Sequence, residues 1–248
     1  MQTGRMEDPK FPENPVILIP AYNPGQDMTD FIRELSGYFG RIVVVDDGST
    51  EGKALFDEIG GINGCKVLRH EINRGKGAAL KTGFAFIGEK DTITADADGQ
   101  HSIHDIVKVA KALASCRNGL VLGVREFKGD VPFRSKFGNF WTRIFFFLLT
   151  GLDVKDTQTG LRGIPSGLIE RIRAIEGDRY EYEMAMLADA KTHAEKPTLV
   201  TIDTIYRDNN ASSHFRPLAD TVRIYRTLIT QLCRQRKRRS LNCNTRVP

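Results

Sequence analysis

The sequence predicts an α/β fold, a single domain built on a mostly parallel sheet with helices on both faces. Three observations carry that expectation. Short β-rich runs alternate with helical patterns from about residue 16 to residue 124, the order that repeated β-α-β units produce. The 248 residues, 40% hydrophobic and 27% charged, have the makeup of an ordinary globular chain and are enough for one large core. The residues that follow the β-rich runs are repeatedly acidic, and they fall where an open parallel sheet binds its ligands, beyond the carboxyl ends of its strands.

Taken in order, Val16–Ile19 is an apolar run bounded by prolines, and Asp27–Tyr38 follows with helical spacing. Arg41–Val45 is a second β-rich run that stops at Asp46-Asp47-Gly48-Ser49-Thr50. A polar helix is expected at Lys53–Ile59, a strand at Cys65–Arg69 and a helix at Ala78–Ile87. The strand Thr92–Ala95, the helix Ile103–Ser115 and the strand Leu120–Val124 complete the alternation. Ser102 and Asp105 are spaced as a capping box that starts the helix at Ile103. Farther on, Lys136–Leu152 carries Phe137, Phe140, Trp141, Ile144, Phe145 and Leu148 at three- and four-residue spacings, a broad apolar stripe that suits either core packing or a lipid-facing helix. Tyr182–Lys196 reads as a helix, Thr198–Tyr206 as a strand and Leu218–Cys233 as a helix that runs into a basic cluster. The expected organisation is an extension over 1–14, the main domain over 15–217, and an amphipathic helix with a basic tail over 218–248.

Bulk properties narrow the function. The four cysteines (Cys65, Cys116, Cys233, Cys243) form no C-x-x-C pair, so they read as free thiols in a reducing compartment rather than a disulfide or zinc framework. No apolar h-region opens the chain. The longest apolar run, Ile144–Leu149, is far below the roughly 20 residues that span a bilayer. From Thr221 onward there are eight Lys/Arg and no Asp or Glu, so the net charge of +5 is a basic tail on a body of net −3. Such a tail suits a polyanion or an anionic membrane surface.

Acidic residues and an arginine converge on one edge of the expected sheet: Asp46 and Asp47 after the second strand, Asp96 and Asp98 after the fourth, Arg125 after the fifth. Asp96-x-Asp98 on a glycine turn, with Gln100 two residues on, offers three oxygen ligands of the kind Mg²⁺ or Mn²⁺ takes when it shares them with phosphates and water. Arg74-Gly75-Lys76-Gly77 precedes a helix, so backbone N–H groups and Lys76 could meet a phosphate. The same segment nearly fits a dinucleotide fingerprint, but Leu80 stands where Gly or Ala belongs. No Walker A loop is present, and Lys81-Thr82-Gly83 lacks the Ser-x-x-Lys of a β-lactamase. His101-x-x-His104 lacks the Glu and spacing of a zincin.

Pro20-Ala21-Tyr22-Asn23, Val43-Val44-Val45-Asp46-Asp47-Gly48-Ser49, Asn73-Arg74-Gly75-Lys76-Gly77 and Asp96-Ala97-Asp98-Gly99-Gln100-His101 together resemble family 2 glycosyltransferases of the GT-A fold. Asp156-Thr157-Gln158-Thr159-Gly160-Leu161-Arg162 is similar to the branch that holds dolichyl-phosphate mannose and glucose synthases and bacterial polyprenyl-phosphate glycosyltransferases. The resemblance runs from about Pro15 to about Tyr225. It implies a Rossmann-like nucleotide-binding sheet and an inverting transfer of a hexose from a nucleotide sugar, of the UDP-glucose or GDP-mannose type, to a polyprenyl phosphate. It implies that Asp47, with Pro20, Ala21 and Tyr22, holds the nucleobase. It further implies that Asp96, Asp98 and Gln100 form the nucleotide–metal site with Mg²⁺ or Mn²⁺, and that Arg125, Arg134 and Arg207 grip the donor and acceptor phosphates. Ser102-Ile103 stands where the family often has Pro. Many bacterial relatives continue into transmembrane segments, whereas this chain stops, so contact with an anionic membrane at its cytoplasmic face, or with a separate membrane protein, is expected to be peripheral.

An obvious general base is missing from the sequence reading, and the implied acceptor does not need one. A phosphate monoester is largely ionised at neutral pH, with a second pKa of about 6, and attacks directly. Transfer to a soluble or cell-envelope sugar is the alternative within the fold. A non-enzymatic membrane-complex or nucleic-acid-binding protein is the alternative outside it, and no nucleic-acid partner is expected.

Overall fold

The computed structural model describes residues 11, 14–99, 101–116, 118–125 and 159–203. The elements in chain order are β1 (Val16–Ala21), α1 (Met28–Ser36), β2 (Ile42–Asp46), α2 (Lys53–Gly60), β3 (Cys65–Arg69), α3 (Lys76–Ile87), β4 (Thr92–Thr94), α4 (Ile103–Ser115), β5 (Val121–Arg125), β6 (Arg162–Ile164), α5 (Ile169–Arg173), α6 (Glu181–Thr192) and β7 (Thr198–Ile202). Each strand and helix expected up to Val124 is present, with ends shifted by one or two residues. The expected helix over Lys136–Leu152 and the helix and tail from Leu218 onward lie outside the described residues, as does the end of the last expected strand beyond Asp203.

The strands form one seven-stranded sheet in the order β3-β2-β1-β4-β6-β5-β7. β1 pairs in parallel with β2 on one side and β4 on the other, so the strand order reverses between β1 and β4. That reversal opens a crevice at the carboxyl edge, the usual place for a ligand in such a sheet. β6 was not anticipated. It is only three residues long and runs antiparallel between β4 and β5, with Arg162 opposite Thr94 on one side and Leu122 on the other. Because β6 enters from the carboxyl edge of its neighbours, residues 159–162 arrive where β4 ends.

Both faces of the sheet are covered, and the side-chain alternation of the strands divides the core in two. Val16 and Leu18 of β1 and Val43 and Val45 of β2 face α3 and α6. Ile17 and Ile19, with Ile42 and Val44, face α1, α2 and α4. Burial on both sides explains why these strands read as continuous apolar runs rather than alternating ones. Ser102 caps α4 as the sequence implies: its hydroxyl accepts the Asp105 N–H at 3.1 Å and donates to the Asp105 carboxylate at 2.7 Å.

Helix α3 is pressed against the turn that begins α6. A Cβ placed on Gly77 would lie 2.7 Å from the Tyr182 Cβ and 2.8 Å from the Asp178 carbonyl carbon, and neither of these can swing away as the tip of a flexible side chain could. Gly77→Ala would ordinarily gain about 1 kcal/mol of helix propensity. Here it should instead destabilise the protein by about 1–3 kcal/mol, the usual cost of overpacking, as read from the urea midpoint at constant slope.

Candidate active site

The loops after β1 and β2 are stitched together by side-chain and backbone bonds. The Asp47 N–H donates to the Ala21 carbonyl at 2.8 Å, and the Asn23 N–H donates to the Ser49 hydroxyl at 2.9 Å. Asn23 adopts a positive φ of 45°, a conformation Asn tolerates better than most residues. Its side-chain oxygen accepts the N–H groups of Thr50 and Glu51 at 2.9 and 3.3 Å. Pro20 and Ala21, buried at the end of β1, and the half-buried Tyr22 thus lie at the same carboxyl edge as Asp47.

Asp47 is almost fully buried, its side chain 4% exposed. Its carboxylate accepts the Arg74 N–H at 2.9 Å and the Gly75 N–H at 2.7 Å, and lies 2.7 Å from His70 Nδ1. The other ring nitrogen, Nε2, is 2.9 Å from the Thr82 hydroxyl of α3. In a neutral ring, Nδ1–H donates to the carboxylate and Nε2 accepts from Thr82. Asp47 therefore fixes the whole loop between β3 and α3, and that loop delivers Lys76.

Lys76 is the hinge of the site. Its ammonium is 2.6 Å from Asp96 Oδ1 and 2.9 Å from Glu183 Oε2 of α6, with the Tyr180 ring centroid 6.0 Å away. The side chains of Lys76, Asp96 and Glu183 are 17%, 26% and 8% exposed. Burial alone would lower the lysine's pKa, but the charges of Asp96 and Glu183 outweigh it and hold the ammonium above its ordinary range. Burial would likewise raise Asp96, yet Lys76 and the adjacent His101 keep its carboxyl well below the usual carboxylate range. His101 Nε2 lies 3.5 Å from Asp96 Oδ2, an electrostatic contact longer than a good hydrogen bond.

The segment 159–162 completes the site from below. A Cβ on Gly160 would fall 2.2–2.5 Å from the Asp96 carboxylate, so only a glycine lets Asp96 rest against this backbone. The Thr94 hydroxyl donates to the Gly160 carbonyl at 2.8 Å. The buried Arg162 donates through Nε to the Thr159 carbonyl at 2.9 Å and through Nη1 to the Glu183 carbonyl.

The structure thus gathers Pro20, Ala21, Tyr22, Asp47, Lys76 and Asp96 at one edge, with the half-exposed Asp98 on the same turn as Asp96. Arg125 closes β5 at that edge, since β5 runs the same way as β4. Gln100, Arg134 and Arg207 lie outside the described residues. Two of the N–H groups at the N-terminus of α3 are already used within the protein. The Gly75 N–H is taken by Asp47, the Ala78 N–H donates to the Asp178 carbonyl at 2.9 Å, and the Asp178–Tyr182 turn packs over Gly75 and Gly77. Glu183 and His70 were not among the residues expected at the site, and Arg162 was expected only as part of a motif, with no partner assigned. Glu183 did leave a signal, since a carboxylate between Tyr182 and Met184 in an otherwise apolar run calls for a buried cation.

A mostly parallel sheet with a carboxylate turn at its switch point fits the GT-A fold of glycosyltransferases. A solved glucosyl-3-phosphoglycerate synthase of Mycobacterium tuberculosis, in complex with Mn²⁺, UDP and glucosyl-3-phosphoglycerate, shares this fold: TM-score 0.67, 17% identity, 89% of this chain and 78% of that one. The sequence model of glycosyl transferase family 2 matches residues 16–164, and the chain belongs to that family and is a glycosyltransferase. It is 32% identical over 243 residues to a UDP-N-acetylglucosamine–dolichyl-phosphate N-acetylglucosaminyltransferase of Methanococcus voltae, covering 87% of this chain and 95% of the relative. It is 28% identical over 214 residues to a dolichyl-phosphate beta-glucosyltransferase of Saccharomyces cerevisiae, covering 71% of this chain and 62% of the relative.

The Lys76–Asp96 pair has a pH signature. A depressed carboxyl contributes stability that is present above its unfolded pKa, about 3.9, and that is lost as pH falls below it. The raised ammonium contributes stability that is present below about 10.4 and lost as pH rises above it. Lys76→Met removes the cation and leaves a carboxyl that burial favours as the acid. In chelator-treated protein the variant should be less stable than wild type at pH 7, and urea midpoints should converge as pH drops from 4 to 3. A gap that stays constant over that range would show that Lys76 does not hold the Asp96 charge.

Proposed function

We propose that this glycosyltransferase moves a hexose from a nucleotide sugar to the phosphate of a polyprenyl lipid such as dolichyl phosphate, with inversion at the anomeric carbon and with Mg²⁺ or Mn²⁺. The observation that carries the reading is the Asp96-Ala97-Asp98 turn, held by Lys76 at the β1/β4 switch point, in a chain whose relatives in M. voltae and S. cerevisiae are both named for dolichyl phosphate.

The residues present fit a divalent cation. Lys76, Asp96 and Glu183 carry a formal charge of −1 in their ionised forms, and the carboxylates of Asp96 and Asp98 on one turn are hard oxygen donors of the kind such an ion takes. Among the described residues no group of three His, Cys, Asp or Glu side chains closes a metal site by itself. Asp96 and Asp98 would therefore share the ion with Gln100, the donor's diphosphate and water, in keeping with the hard oxygen set these ions take. Bound there, the cation supplies charge neutralisation of the departing nucleoside diphosphate.

The chain's own residues bind and orient. Asp47 uses three of about four acceptor positions on its carboxylate, leaving one for a base N–H beside Pro20, Ala21 and Tyr22. Arg125, Arg134 and Arg207 align the donor and acceptor phosphates and offset their repulsion. The acceptor phosphate is its own nucleophile, and attack opposite the leaving group inverts the anomeric carbon. Among the described residues no helix is long and apolar enough to cross a membrane. The segment 136–152, expected from the sequence to be an apolar helix, and the basic tail are assigned to peripheral contact with the cytoplasmic face, at about 1 kcal/mol per basic residue near the surface.

Labelled UDP-glucose, UDP-N-acetylglucosamine and GDP-mannose, offered with Mn²⁺ and dolichyl phosphate in detergent, test the reading. One donor should give lipid-linked label whose anomeric configuration is opposite to the donor's. Chelator should abolish transfer, and Asp98→Asn should lower it about 100-fold, the scale of losing a main electrostatic stabiliser. Full activity in chelator would overturn the metal role, and transfer to a soluble sugar with none to the lipid would overturn the acceptor.

A further inference from the structure

We infer that Glu183, a residue of α6 outside the turn that carries Asp96 and Asp98, is a positioning residue of the donor site that sets Asp96 through Lys76. The inference rests on the nucleotide–metal reading of Asp96 and Asp98 and extends it to a fourth element of the fold.

Four contacts close a ring around Asp96. Its Oδ1 is 2.6 Å from the Lys76 ammonium, and that ammonium is 2.9 Å from Glu183 Oε2. The Glu183 backbone carbonyl accepts a hydrogen bond from the buried Arg162 guanidinium. Arg162 sits in β6 opposite Thr94 in β4, two residues before Asp96. The ring passes from β4 to α3, α6, β6 and back to β4, so each member is fixed by two others.

Glu183 is placed to position and not to touch the donor. Its side chain is 8% exposed, and its second oxygen, Oε1, is buried with no hydrogen-bond partner. A carboxylate with one unsatisfied oxygen is a costly thing to bury, and the contact it makes in return is the one with Lys76. With Asp96 alone as a partner, the ammonium would be free to lie on either side of that carboxylate. With Glu183 as well, it is confined between the two, and Asp96 Oδ2 is left on the His101 side of the turn. Glu183 also gives the Lys76–Asp96–Glu183 cluster a formal −1, where Lys76 and Asp96 alone would cancel. Partners one step removed from a metal's ligands commonly change its affinity by 10–100-fold.

The test uses the whole chain and the binding of Mn²⁺ with UDP, and in a separate series with GDP, followed by the electron paramagnetic resonance signal of free Mn²⁺. Glu183→Gln keeps the side-chain shape and the backbone carbonyl that Arg162 uses. It should weaken Mn²⁺–nucleotide binding about tenfold while the melting temperature and circular dichroism stay close to wild type. In a Lys76→Met background the same substitution should add no further loss, because its effect runs through the lysine. Asp98→Asn serves as the reference. Loss of binding in Asp98→Asn but not in Glu183→Gln overturns this inference and leaves the donor-site reading standing. No loss in either variant, or no binding by wild type, overturns both. A lowered melting temperature with unchanged affinity for the folded protein reduces Glu183 to a packing residue and overturns the inference, as does an undiminished Glu183→Gln effect in the Lys76→Met background.

Discussion

A lysine ammonium held between two carboxylates organises this fold's carboxyl edge. Lys76 comes from the first turn of α3, Asp96 from the end of β4 and Glu183 from the first turns of α6, so one cation ties together three elements that are distant in sequence. Removing one partner of a buried pair typically costs about 3–5 kcal/mol. The cost here is smaller because Lys76 and Asp96 keep some contact with water. What the cluster gives in return is placement: Asp96 rests on the Gly160 backbone and against Lys76, which limits the positions its carboxylate can take. The Asp47 carboxylate does the same service one step earlier, by fixing the loop that brings Lys76 in.

The order of elements up to Val124 was legible because those strands are buried on both faces and the helices between them repeat at 3.6 residues. Periodicity and punctuation are enough for such a layout. β6 was invisible for a physical reason. Arg162-Gly163-Ile164 is three residues long, starts with a charge and contains a glycine, so nothing in its composition favours a strand. It is a strand because β4 and β5 offer edges on either side of it, and that is a tertiary fact. Helix α6 was expected over Tyr182–Lys196 and runs over Glu181–Thr192, while its surroundings could not be read from the sequence. Tyr182–Leu187 is buried on every side, so the helix carries no clear apolar stripe to say which face meets the sheet.

The candidate site was legible in part. Strand-end acidic residues could be placed at one edge by topology alone, and Asp47, Asp96, Asp98 and Arg125 do converge there. Lys76 was legible as a cation at the site, though its partners were not, because Glu183 lies more than one hundred residues away and pairing at that distance leaves no local spacing to read. The Asp47–His70–Thr82 chain escaped for the same reason, although two of its members flank the Asn73-Arg74-Gly75-Lys76-Gly77 segment. Gly160 and Arg162 were visible as parts of a motif. Their work, a bare backbone under Asp96 and a guanidinium on the Glu183 carbonyl, is visible only in three dimensions.

Part of the N-terminus of α3 is committed within the protein, which bears on how phosphate charge can be met at this edge. In a phosphate-binding loop the free N–H groups of a helix start and its positive dipole end take up the anion. Here the Gly75 and Ala78 N–H groups are committed to Asp47 and Asp178, the Asp178–Tyr182 turn lies over the two glycines, and the nearest lysine is matched by two carboxylates. The Lys76–Asp96–Glu183 cluster is thus net acidic, with a formal charge of −1. Two negative groups can share such a site only if cations stand between them, and in the function proposed above a divalent ion on the Asp96–Asp98 turn, with Arg125 at the end of β5, would meet this need. On that proposal the acid-rich turn is one half of a charge pair whose other half arrives with the substrate. The Lys76–Glu183 brace keeps that half from being cancelled by its own lysine.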